Sequence, residues 1–367
     1  MPGLDGKIRY AVVAGGYISQ GAFMPGVGQT DNAVITALVT GDPAKADKLA
    51  RQYGLKSYDY AQYPDLLASG EIDAVYVATP NFNHREYVIP ALQAGIHVLL
   101  EKPMAANEDD CAAMVEAAQK SPAKLMLAYR LHCEPGTVEI IERVRAGEFG
   151  DPRVFTSTFT QCVPKTNHRM KHGFAAGPVM DMAPYPLNMM RQLFADEPIE
   201  VNAMGTTTPG SELDTPDTVT VFLRFPDKRL GQFTVSYSLP SSERFQLIGT
   251  EGEIEASPCF GFGEGVGITY RATSNGVTKE HTHPVVDQFA GETAYFSDCI
   301  LQDVAPEPDG QEGWRDVRIL AAVERSLKTG KAQSLEPLPR KHLPTRRQQR
   351  QLPLAVVPPL IDAQKPN

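Results

Sequence analysis

Ile8-Arg9-Tyr10-Ala11-Val12-Val13-Ala14-Gly15-Gly16-Tyr17-Ile18-Ser19 is the stretch that decides the fold class. Ile8 to Val13 is a mostly apolar run of strand length, Ala14-Gly15-Gly16 closes it in a turn of small residues, and Ile18 to Val27 carries helical spacing. The alternation then repeats. Val34 to Val39 reads as a strand, Asp42-Pro43 opens a helix through Tyr53, and Ile72 to Ala78 is another strand. A helix over His84 to Ala94, a strand over Ile96 to Leu100, a helix over Asn107 to Lys120 and a strand over Lys124 to Ala128 follow. Strands separated by helices pair in parallel through right-handed crossovers. This predicts an α/β fold whose residues 1–130 form a dinucleotide-binding Rossmann domain, a doubly wound parallel sheet.

Past a connecting helix at 134–147 the pattern changes. Val154 to Thr160, Ile199 to Thr206, Thr218 to Phe225, Gly231 to Tyr237, Phe245 to Gly249 and Glu253 to Ser257 alternate as antiparallel strands do. Helices are expected over Met180 to Phe194, Val286 to Gln302 and Gly313 to Thr329. Residues 131–336 thus read as a C-terminal α+β domain with a large, mainly antiparallel open sheet. Residues 337–367 hold seven prolines and six Lys or Arg against a single Asp362. That composition suits either a disordered tail or an extended arm lying on this subunit or a neighbour.

Composition narrows the function. The 367 residues are 42% hydrophobic and 22% charged, and the net charge of -9 disfavours nucleic acid as a partner, leaving small molecules. Five scattered cysteines, without a CxxC pair, argue for reduced thiols and against a zinc site. A strand pattern by Ile8 with no signal core, and no apolar run of membrane-spanning length, make the expectation cytoplasmic, with no membrane partner.

The turn Ala14-Gly15-Gly16-Tyr17-Ile18-Ser19 matches GxGxxG with small residues at the first and third glycine places, where the backbone approaches a pyrophosphate at a helix N-terminus. The second strand ends in Thr40-Gly41-Asp42, with Lys45 nearby. A hydroxyl and a lysine tolerate a 2'-phosphate better than the usual acid does, which favours NADP over NAD. Asp42 is left as a ribose acceptor or a cap of the Pro43 helix. Thr79-Pro80-Asn81 and His84 sit at the sheet's carboxyl edge, where the nicotinamide half of a dinucleotide would lie; Asn81 as a turn residue and His84 as a surface residue are the competing reading. Glu101-Lys102-Pro103 follows the next strand, either as a charged strand end or as a catalytic lysine aimed at that edge. Asp181 and Tyr185, four apart, share one helical face, where a carboxylate beside a phenol tunes proton exchange unless the two merely cap and pack.

Taken together these segments resemble the Gfo/Idh/MocA oxidoreductase family, and most its branch of glucose-fructose oxidoreductase and related sugar dehydrogenases. The resemblance runs from Ile8 to Gly330 on Ala78-Thr79-Pro80-Asn81 with His84, Ala94 to Val98 leading into Glu101-Lys102-Pro103-Met104-Ala105, Tyr129-Arg130-Leu131-His132, Asp181 to Arg191 and Ile248 to Gly252. It implies hydride transfer between NADP (or NAD) and a sugar or similar polyol. It implies Lys102 beside the reacting oxygen, Tyr185 as acid/base and Asp181 as the carboxylate beside it. Glu101 and Arg130 join the cofactor set, Arg169 the substrate loop, and Lys102-Pro103 is expected as a cis peptide. It also implies a homo-oligomer, dimer or tetramer, through the C-terminal sheet. The N-terminus lacks the long arm that clasps NADP in glucose-fructose oxidoreductase, so a dissociable cofactor is expected. Two other roles stand beside this one: a glycosidase using bound NAD for transient oxidation, and a regulator that binds NADP and sugar without turnover.

Overall fold

The structure is a computed structural model, and residues 5–340 and 343–364 are described; the parts of the proline-rich tail at 341–342 and 365–367 lie outside this range. Six strands form the first sheet: β1 Ile8–Val13, β2 Ala33–Val39, β3 Lys56–Tyr58, β4 Ala74–Val77, β5 His97–Leu100 and β6 Leu125–Leu127. All pair in parallel, in the order β3-β2-β1-β4-β5-β6. The chain direction across the sheet reverses between β1 and β4, so a crevice opens at their carboxyl ends, where folds of this kind bind ligands. The strands β1, β4, β5 and β6 are buried on both faces, which is why they read as continuous apolar runs rather than alternating ones, whereas β3 is an exposed edge strand. Phe23 stacks on Tyr76 at 3.7 Å between ring centroids in the core below the crevice.

The second sheet has nine strands: β7 Pro152–Cys162, β8 Glu200–Thr206, β9 Thr218–Arg224, β10 Leu230–Ser236, β11 Ser238–Gly249, β12 Gly252–Ala256, β13 Thr269–Ser274, β14 Val277–Thr282 and β15 Gln333–Ser334. Their order is β14-β13-β12-β11-β7-β10-β9-β8-β15, antiparallel except for β7 with β10. Val219, Val221, Leu223, Phe233, Val235, Phe245 and Leu247 are buried on one face, while Met204, Phe222, Leu230 and Ile248 are exposed. β13 and β14 escape the sequence reading because β14, Val-Thr-Lys-Glu-His-Thr, carries almost no buried side chain.

The expected division at 130/131 and 336/337 differs from the one the contacts draw. Among the described residues, one compact unit holds 5–134, 286–314 and 348–364; the other holds 135–285, 315–340 and 343–347. The reason is where the helix Gln288–Leu301 packs: the Tyr10 hydroxyl in β1 pairs with Ser297 Oγ at 2.9 Å, and Asn32 Nδ2 donates to Asp298 Oδ1 at 2.8 Å. The chain therefore returns to the first unit after β14, before β15 adds the edge strand of the second sheet. The tail returns too. Arg350 N donates to the Cys133 carbonyl at 3.1 Å and Asp287 N to the Leu352 carbonyl at 2.9 Å, so residues 348–364 are an arm on this subunit.

Two expected helices are shorter than their patterns. Ile18 to Val27 divides into a π-turn, Ser19–Phe23, and a short helix, Met24–Val27; Pro25 has no N–H to give, and Gly21 and Gly26 are weak helix formers. Met180 to Phe194 divides into Pro178–Met182 and Pro184–Phe194, each with proline in its first turn. Arg191, at the end of that segment, is fully buried and pairs with Glu197 at 2.8 Å and Asp316 at 2.5 Å, while Arg315 and Arg340 close on the same Glu197. Its role is to lock the second unit, since buried charges persist only when paired.

Candidate active site

In the first unit the site grows from the β1 turn. Ala14 has φ 83, in the left-handed region that favours glycine, and Ser19 fastens it by donating from Oγ to the Ala14 carbonyl at 2.6 Å. A Cβ on Gly15 would lie 3.0 Å from Leu49 Cδ1 and 3.7 Å from Lys45 Cδ, so the aliphatic stem of Lys45 lies against the turn. A Cβ on Gly16 would meet nothing within 4 Å. That open face is the one a pyrophosphate needs, and the turn fits the group that the sequence implied. Tyr17 and Ile18 are half-buried beside it.

At the next strand end Thr40 is buried, with its N–H on the Tyr58 carbonyl at 3.0 Å, and Gly41 lies against the Tyr60 ring. Asp42 caps the helix Pro43–Tyr53 by accepting on Oδ1 from the N–H groups of Ala44 and Lys45, 3.0 and 3.1 Å away. Beyond β4, Thr79 is buried, Pro80 exposed, and Asn81 half-buried at the start of the turn Asn81–Asn83.

His84 is not a surface residue and does not present a nitrogen to the crevice. It is 1% exposed, with Nε2 2.9 Å from the Thr79 carbonyl and Nδ1 3.0 Å from the Met104 carbonyl. Burial drives its pKa down to about 4, against the carbonyls of Met104, Thr79 and Pro103. The neutral ring donates its single N–H to one carbonyl and packs against the other, filling the space between the β4 and β5 loops, a positioning task rather than a direct contact.

The Lys102-Pro103 peptide is cis, as expected from the resemblance. Glu101 accepts from the Tyr76 hydroxyl at 2.6 Å and from Lys102 N at 3.2 Å. Burial raises its carboxyl above the usual range, while Tyr76, Lys102 and Arg130 pull it down. Arg130 is 4% exposed, donates to Gln288 Oε1 and sits 5.8 Å over the Phe289 ring. Glu292 on the same helix is fully buried, and neither of its oxygens has a hydrogen-bond partner among the described residues; burial, then the charge of Glu101, raises its carboxyl well above the ordinary value. Sequence reasoning missed Glu292, although an acid inside the apolar run Phe289 to Phe296 was a signal.

The second unit holds the other predicted group. Asp181 accepts from the Tyr237 hydroxyl at 2.8 Å and pairs with Arg169 Nε at 3.3 Å. The half-buried Tyr185 ring stands edge-on to Phe159, 5.3 Å away at 84°, and 6.1 Å from Phe260. The structure therefore gathers Arg169, Asp181 and a phenol that sequence reasoning missed. Tyr237 is 2% exposed, and burial, followed by the Asp181 charge, holds its hydroxyl protonated well above the ordinary pKa despite Arg169. Its signal was a hydroxyl in line with the inward Phe233 and Val235.

Residues 8–129 match the oxidoreductase family with an NAD-binding Rossmann fold, and 137–255 match the GFO/IDH/MocA C-terminal domain. The chain belongs to the Gfo/Idh/MocA oxidoreductase family. D-xylose 1-dehydrogenase [NADP(+)] of Haloarcula marismortui is 30% identical over 334 residues, 89% of this chain and 92% of that protein. The aldose-aldose oxidoreductase of Caulobacter crescentus, solved with glycerol, superimposes with a TM-score of 0.84 at 30% identity, over 90% of this chain and 100% of that one. Levoglucosan dehydrogenase shares the fold at a TM-score of 0.78 and 19% identity, over 89% of this chain and 99% of that one. This Gfo/Idh/MocA protein is thus an NAD(P)-dependent oxidoreductase. No helix among the described residues is long and apolar enough to cross a membrane, and no three metal-ligating side chains converge there.

Proposed function

We propose that this protein oxidises an aldose at a CH–OH group with NADP, or reduces a sugar carbonyl in the reverse direction. The observation that carries the reading is the β1 turn with an open Gly16 face and the Lys45 stem against Gly15, in a family whose Haloarcula relative is an NADP-dependent xylose dehydrogenase. The nicotinamide, when bound, takes or gives the hydride. The chain's own residues manage the proton and the charge. Lys102 holds the substrate oxygen by its ammonium, and Tyr185 takes the hydroxyl proton as hydride departs, or returns it in reduction. Asp181, paired with Arg169 and hydrogen-bonded by Tyr237, orients the substrate beside the phenol. Glu101 sets the field behind Lys102. The exposed Met204, Phe222, Leu230 and Ile248 on the second sheet support assembly into a homo-oligomer through that face.

Stopped-flow absorbance of the nicotinamide with a sugar panel tests the reading. We expect turnover with an aldose and NADP, lost by at least about 10³-fold in Lys102→Met while NADP still binds. Lys45→Glu should raise the KM for NADP by at least about tenfold and spare NAD. Sugar release with no net absorbance change would instead select transient-redox glycoside cleavage, and unimpaired Lys102→Met would remove the lysine assignment.

A further inference from the structure

The dinucleotide turn is held from an unexpected direction, by the far end of the chain. Gln20 is 3% exposed and spends its whole amide on two backbones. Its Nε2 donates to the Gly15 carbonyl at 2.8 Å and to the Ile361 carbonyl at 2.9 Å, while its Oε1 accepts from Ile361 N at 2.7 Å. Only one orientation of the amide satisfies all three bonds. The side chain therefore pairs with Ile361 as a neighbouring strand would, and with its second proton grips the turn. The Ile361 side chain packs against the core that contains Phe23, Leu38 and Leu49, and Asp362 reaches Lys48 at 3.6 Å on the helix that carries Lys45.

This contact is separable from the rest of the arm. The arm's base is fastened independently: Gln348 Nε2 donates to the Glu307 carbonyl at 2.8 Å, Arg350 meets Asp298 at 2.6 Å, and Ala355 N donates to Asp287 Oδ2 at 3.1 Å. The other oxygen of Asp287 caps the helix Gln288–Leu301 through Phe289 N and Ala290 N. Between base and clasp lie Val356, Val357, Pro358 and Pro359, of which Val356 is 90% exposed. A Pro-Pro spacer is stiff and extended, so it delivers Ile361 to Gln20 at little entropic cost.

We propose that the end of the C-terminal arm is a cofactor-retention clasp, and that Gln20 is the positioning residue through which Ile361 holds the Gly15-Gly16 turn in its binding conformation. The inference rests on the dinucleotide reading of that turn. By linkage the coupling is reciprocal: whatever the arm adds to cofactor affinity, the cofactor adds to arm docking.

The test uses the full chain, a chain ending after Pro359, Gln20→Ala, and the two changes combined. Both the truncation and the substitution leave the base anchors in place. Hydrogen exchange without nucleotide should speed up over residues 14–20 in either variant, and NADP should bind at least about tenfold more weakly by titration. In the combined variant the two losses should not add, since the arm reaches the turn through Gln20 and both changes break the Gln20–Ile361 contact. In the full chain NADP should slow exchange at 360–363. Released arm ends with unchanged turn exchange and unchanged NADP affinity would overturn the clasp, as would additive losses. A full chain that binds no nicotinamide dinucleotide would overturn the functional reading and the clasp with it, whereas binding indifferent to the arm overturns the clasp alone.

Discussion

The Tyr237 hydroxyl donates to Asp181 Oδ2 at 2.8 Å, in a setting that keeps the phenol protonated across any working pH. Removing the hydroxyl leaves Asp181 with Arg169 but without its buried donor. Tyr237→Phe should lower kcat/KM by about 10–100-fold, roughly 1–3 kcal/mol, with most of the loss in kcat. Steady-state kinetics at several pH values checks it. Parent-like kcat would make Tyr237 a packing residue.

His84 lies between the Thr79 and Met104 carbonyls, and burial lowers its pKa to about 4, so the neutral ring donates its single N–H to one of them. The unfolded chain therefore binds the proton first on acidification, so stability is lost as pH falls from 6.5 through 4, by up to about 3 kcal/mol from this group. His97, lowered to about 4 chiefly by burial, acts in the same direction. His84→Gln should be less stable than the parent at pH 7, and the gap should narrow toward pH 4.5. Melting curves at both pH values decide it; a constant gap would rule out the buried neutral ring.

Glu292 has the opposite sign. Its folded pKa is raised, so the folded state keeps a proton that the unfolded state gives up, and stability falls as pH rises above about 4.5. The groups facing it are Glu101, Arg130 and Asp287, with Tyr10 and Cys133 also within its field. Gln copies the protonated acid. Glu292→Gln should melt with the parent at pH 5 and above it at pH 8, whereas an ionised Glu292 paired to Arg130 would make the variant the weaker one at pH 8.

Ala14 occupies a left-handed conformation at φ 83. An L residue there costs on the order of 1 kcal/mol relative to glycine. Ala14→Gly should therefore raise the denaturant midpoint without changing the slope. A lowered midpoint would show that Ser19 and the Ala14 methyl contribute more than the strain removes.

Five of the six strands in the first sheet and their parallel pairing were legible because buried parallel strands are apolar runs bounded by helices, as Ile8 to Val13 shows, while the exposed edge strand β3 was not. The family followed from spaced motifs, and the expected Lys102-Pro103 cis peptide is present. β14 was illegible because its side chains are exposed, and the tail because its proline-rich composition is shared by disordered segments and bound arms.

Periodicity and local chemistry thus determined the α/β plan, the β1 turn, the residues at the sheet's carboxyl edge and the Asp181 segment. Only the tertiary structure decided what those residues spend their polar atoms on. It buried His84 between two carbonyls, gave Asp181 a partner 56 residues away in Tyr237, and brought Ile361 across 341 residues to Gln20. The physical reason is common to all three. Hydrogen bonds and burial depend on which distant backbones arrive at the same place, and no local pattern in the chain encodes that arrival.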